Sequence, residues 1–156
     1  MSISMTLCLT NEVPPETFET LHMSETPGYG GAGTEYSNSS GLSAAVWYRR
    51  PYDWDMVVAE IGIDYRWVVS MVPLKDDIMA RIDAMVDVGV HVITRAGGEG
   101  IFSVDRGTIL MVWSGKNVAI NPDVPYLDKI EFDDTFTVTR AVPEWNSDVI
   151  DALRNT

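Results

Sequence analysis

The chain has 156 residues, and 23 Asp and Glu against 11 Lys and Arg give a formal net charge of −12. That length suits one domain, and a 46% hydrophobic content belongs to a folded chain rather than a disordered one. So negative a balance argues against binding nucleic acid or an anionic membrane, since both rest on clustered basic groups.

The N-terminus reads Ile3, Met5, Leu7 and Leu9 alternating with Ser4, Thr6, Cys8 and Thr10, the period of a half-buried strand. It has no basic residue and no continuous apolar run, so it does not read as a signal peptide, and no stretch of about 18 apolar residues follows to span a bilayer. A soluble, cytoplasmic protein is the expectation. Cys8 is the single cysteine, which leaves no internal disulfide. Pro14-Pro15 opens a short helix over 14–24 with Phe18, Leu21 and Met23 inward. Residues 25–42, with five Gly and three Ser, read as a long flexible loop without regular structure.

Strands follow at 43–50, 55–63 and 66–72, with turns at 51–54 and Asp64-Tyr65, predicting a three-strand antiparallel meander. Residues 75–88 carry Ile78, Ile82, Met85 and Val86 at helical spacing, and Gly89 stands where a left-handed residue would close the helix. Short strands are expected near 90–95, 101–105, 108–114 and 117–120, then at 127–132 and 135–142 around an Asp133-Asp134 turn. A last helix ends at Arg154 with Trp145, Val149, Ile150 and Leu153 on one face. The fold class is therefore α+β: a single domain over 1–156, mainly antiparallel meander, with about three helices.

Chemistry is harder to find. Gly28-Tyr29-Gly30-Gly31-Ala32-Gly33 matches the dinucleotide spacing, but that fingerprint needs a helix N-terminus after it to meet the pyrophosphate. Thr34–Gly41 does not begin a convincing helix, so no cofactor is expected. His22, His91 and Cys8 are too few for a metal site without carboxylates, and no calcium-loop spacing appears. Among acids, Asp53 and Asp55 flank Trp54, while Asp133-Asp134 has the simpler role of turn formation. The meander register would set Glu60 opposite Val69 among Met56, Val58, Trp67 and Met71, where burial would raise its pKa. If the protein is an enzyme, Glu60, Asp53 and Asp55 are its carboxylates and His91 its proton carrier.

The same register makes both faces of the meander apolar, so helices or a partner chain should cover both. Trp47, Tyr48, Tyr52 and Trp54 crowd around Arg49-Arg50, and Trp, Tyr and Arg dominate binding hot spots. Charge concentrates at the two ends of the chain, with −5 over 1–48 and −5 over 121–156. The reading preferred on these grounds is an acidic protein-binding module, of the inhibitor or immunity type, that neutralises a basic toxin, nuclease or nucleic-acid-handling protein. Its contacts would come from Trp47, Tyr52 and Trp54 with Asp128, Glu131, Asp133 and Asp134. The alternatives are a small carboxylate-dependent enzyme and a subunit of a larger assembly, including a homo-oligomer joined through the meander.

Overall fold

A computed structural model describes residues 3–26, 33–38, 41–48, 60–74, 78–105, 107–140, 142 and 144–156. Its spine is strand β1 (Met5–Leu9), all of whose residues are buried. The alternation predicted a half-buried strand. Instead Thr6 and Cys8 are covered too, because β1 has a strand along each edge and a packed layer on each face. Met5, Leu7 and Leu9 enter one core and Cys8 the other.

Among the described residues the other main elements are α1 (Glu16–Glu19), β2 (Ser24–Glu25), β3 (Gly33–Ser37), β4 (Leu42–Tyr48), β5 (Trp67–Pro73), α2 (Ile78–Ala96), β6 (Glu99–Val104), β7 (Thr108–Ser114), β8 (Asn117–Ile120), β9 (Thr137–Thr139) and α3 (Ser147–Arg154). The nine strands form one sheet in the order β2-β3-β4-β5-β1-β6-β7-β8-β9, antiparallel except for the β8–β9 pair. The architecture is α+β and mainly antiparallel, as the pattern predicted.

Strands β5 and β6 both run antiparallel to β1, so they are parallel to each other with β1 between them. Such a connection needs a crossover, and α2 supplies it with 19 residues, roughly 28 Å of helix. Ile82, Met85 and Val86 are buried as expected, but the helix does not stop at 88. Val92 and Ile93 continue the same stripe into the core, so the strand expected at 90–95 is helix. The left-handed residues that end it are Gly97 and Gly98. Gly89 serves close packing: any Cβ there would run into the ring of Phe102 on β6.

The three-strand meander is also corrected. Tyr48 of β4 pairs directly with Trp67 of β5, and the other edge of β5 is taken by β1. No edge of β5 is left for a neighbour from 55–63; residues 60–61 are helical, and 49–59 lie outside the described residues. Asp64-Tyr65 lacks the glycine a tight hairpin favours, and the chain there is an irregular link rather than a turn. The both-faces expectation holds for part of β5: Val68 is buried in one core, Val69 and Met71 in the other, but Val72 is exposed. The chain's own helices and links cover them.

Residues 25–42 are not unstructured throughout. β3 pairs with β4, and β2 pairs with β3. Tyr36 is buried and stacks on Phe18 of α1 at 4.4 Å. The chain leaves Gly33 as a strand rather than a helix, and 27–32 lie outside the described residues. The strand expected at 127–132 is absent as well: a 3-10 turn at Pro125–Leu127 and an irregular link carry the chain from β8 across the sheet to β9. Among the described residues no helix is long and apolar enough to cross a membrane.

Candidate protein-binding surface

Three segments line one face of the sheet: residues 10–26, which run into the edge strand β2, helix α2, and the link 121–136. All three anchor in the same core, through Val13 and Phe18, through Met85 and Val92, and through Val124 and Leu127. Their charged outward side chains are mostly acidic. Glu12, Glu16, Glu19 and Glu25 come from the first, Asp83 and Asp87 from the second, and Asp123, Asp128, Glu131, Asp133 and Asp134 from the third; all are exposed. Against these eleven carboxylates the three segments hold only Arg81, Arg95 and Lys129 as bases. Most acids of the two ends of the chain thus lie over one side of the sheet, because these segments share one core, while Glu144, Asp148 and Asp151 belong to the other side. The opposite layer, residues 60–66, 142 and 144–156, has five acids and two bases. Both bases are engaged: Arg154 with Glu99 at 2.7 Å and Arg66 with Asp64 at 3.3 Å.

The link 121–136 is a built surface rather than a slack loop. Asn121 is buried; its amide donates to the Ile109 carbonyl at 2.7 Å and its oxygen accepts from the Asp123 N–H at 2.9 Å. Leu127 is fully buried, and Arg140 reaches under the link to donate to the carbonyls of Leu127 and Ile130. With those neighbours turned in, Asp128 and Glu131 stand outward. Asp133 caps its own turn, accepting from the N–H and hydroxyl of Thr135. Those bonds hold its carboxyl below the usual range, with a smaller contribution from Lys116. Asp133-Asp134 is therefore turn chemistry, the simpler role its sequence implied.

Elsewhere on this layer the field of the acids is visible in its neighbours. The Tyr36 hydroxyl is pushed up by burial and then by Glu25, Glu19 and Glu16. Asp87 is raised by partial burial and by Asp83, one helical turn away. His91, the fourth-spaced residue after Asp87, meets the Thr20 hydroxyl at 2.8 Å. Burial, and then Arg95, pull its pKa below the ordinary value.

The sequence-based candidates separate. Asp128, Glu131, Asp133 and Asp134 share the link just described. Trp47 does not join them: it is half-buried against the core on the other face, opposite Val68. Tyr52, Trp54, Asp53 and Asp55 lie outside the described residues. Glu60 is exposed and helical, not buried in a strand, while its neighbour Ile61 is the buried residue. Ile61 packs in one core and His91 sits on the helix covering the other, so the sheet separates Glu60 from the proposed proton carrier. Among the described residues no three His, Cys, Asp or Glu converge as a metal site. Sequence reasoning passed over Asp83 and Asp87, although their spacing of four on a helix sets them on one face. It also passed over a cleft of about 440 Å³ between α3 and the β8–β9 pair. No family model, curated protein or solved structure matches this chain.

Proposed function

We propose that the protein is an acidic protein-binding module whose α2-side layer engages a basic partner, with inhibition of a basic toxin, nuclease or other nucleic-acid-handling protein as its role. The observation that carries this reading is the gathering, over one face of the sheet, of eleven exposed carboxylates in segments that hold three bases, with Lys116 and Arg140 beside the link. Charge of one sign spread over one face raises encounter rates with an oppositely charged protein and rejects like-charged ones. The link 121–136 is the part of that layer best suited to contact, because buried Asn121 and Leu127 fix its backbone while Asp128 and Glu131 remain exposed. A cytoplasmic setting accords with a chain whose single cysteine is buried.

The test is affinity capture from native lysate with the wild-type chain and with a variant carrying Asp128→Asn, Glu131→Gln, Asp133→Asn and Asp134→Asn. A basic protein retained by the wild type, released by salt and lost by the variant supports the reading. Equal retention by both chains refutes it.

A further inference from the structure

Helix α3 has eight residues and packs over β7 and β8, which leaves β9 uncovered: Thr137, Val138 and Thr139 are all exposed. The cleft of about 440 Å³ lies in the gap. Ala119, Val149 and Leu153, all buried, form its floor, and Val142 lines its wall. The charged residues lining it are Glu144 and Asp148, both exposed carboxylates. The two guanidinium groups of this end of the chain are turned elsewhere, Arg154 to Glu99 and Arg140 to the carbonyls of the 121–136 link.

An apolar floor suits apolar side chains rather than a polar metabolite, and an acidic rim without a counter-charge suits a cationic neighbour. β9 closes the sheet order, so its outer edge offers backbone hydrogen-bond groups to an added extended segment. We propose that this cleft docks an extended segment of a basic partner protein, an apolar side chain entering over Val149 and Leu153 while a flanking Lys or Arg meets Glu144 and Asp148. The basic character of the partner rests on the function proposed above. The cleft itself stands on its own geometry.

The probe is a capped peptide alternating lysine and leucine, titrated into the isotope-labelled full chain and followed by amide chemical shifts. Saturable shifts centred on Thr139, Asn146 and Ala152 are expected. The combined Glu144→Gln and Asp148→Asn variant should weaken binding about 10-fold or more. Ala152→Trp fills the cleft from an exposed helix position and should weaken it similarly; circular dichroism verifies that it folds. A lysine–serine peptide binding the same residues equally well would overturn the proposal, as would a glutamate–leucine peptide doing so. The captured partner separates the two proposals. Capture lost on neutralising Asp128–Asp134 but unchanged by Ala152→Trp would overturn the cleft alone. Salt-insensitive capture with the cleft response intact would overturn the electrostatic reading alone.

Discussion

Gly89→Ala opposes two physical effects whose balance the structure decides. In an isolated helix the change favours folding by about 1 kcal/mol, since glycine is the costlier residue in a helix interior. In α2 a Cβ at this position would stand 2.5 Å from Cζ and 2.9 Å from Cδ2 of Phe102, and closer still to Cε2. Ordinary carbon contacts are about 3.5–4.0 Å, so either ring or helix must shift by about 1 Å. Phe102 is fully buried between helix and sheet and has little room to yield. Overpacking of this kind costs about 1–3 kcal/mol, typically more than the propensity gain. We expect net destabilisation of about 1 kcal/mol, read as a lower urea midpoint at unchanged slope. In a Phe102→Leu background the same substitution should become neutral or stabilising, because the ring atoms it meets are gone. A raised midpoint for Gly89→Ala in the wild-type background would refute the packing of α2 on β6 described above.

Two further predictions concern pH. Arg154 holds the Glu99 carboxyl below its usual range, chiefly by its hydrogen bonds, with Ser114 also donating to it. A depressed carboxylate lends stability above its unfolded pKa and loses it as the pH falls through the folded value. Glu99→Gln should therefore cost roughly 1 kcal/mol near neutrality, with the gap to wild type closing as the pH falls from about 4 downward; a gap independent of pH would contradict the pairing. His91 is depressed by burial and by Arg95, so its neutral form belongs to the folded state. Stability should drop as the pH falls below about 6.5, and His91→Gln should flatten that part of the profile. An unchanged slope in the variant would remove His91 from the account.

What the sequence disclosed was the local periodicity. β7 and β8 emerge as short apolar runs bounded by Gly107 and Gly115, and α3 emerges where apolar residues recur at three to four; each element buries those residues. What it concealed depended on distant partners. β5 pairs with β1 rather than with residues just before it, so a meander was the natural but mistaken local solution. Gly89 looked like a helix terminator because a packing glycine and a capping glycine are the same letter, and the β-branched run Val90–Thr94 reads equally well as strand. β3 escaped notice because only Tyr36 marks its buried face. The acids of the candidate surface were legible one by one. Their convergence was not, since it follows from segments 10–26, α2 and 121–136 sharing one core. Glu60 failed as a buried acid for the same reason the meander failed.

The most direct test of the acidic-surface account is stopped-flow association of the captured basic partner with the wild-type chain and with the chain neutralised at Asp128, Glu131, Asp133 and Asp134. Screening lengths fall to about 8 Å at physiological salt, so a steering field spread over one face must weaken between low and physiological ionic strength. The wild-type association rate should drop markedly over that range. The neutralised chain should associate more slowly at low salt, depend less on salt, and show a dissociation rate changed far less than its association rate. A wild-type association rate that stays constant across the salt range would contradict the central claim.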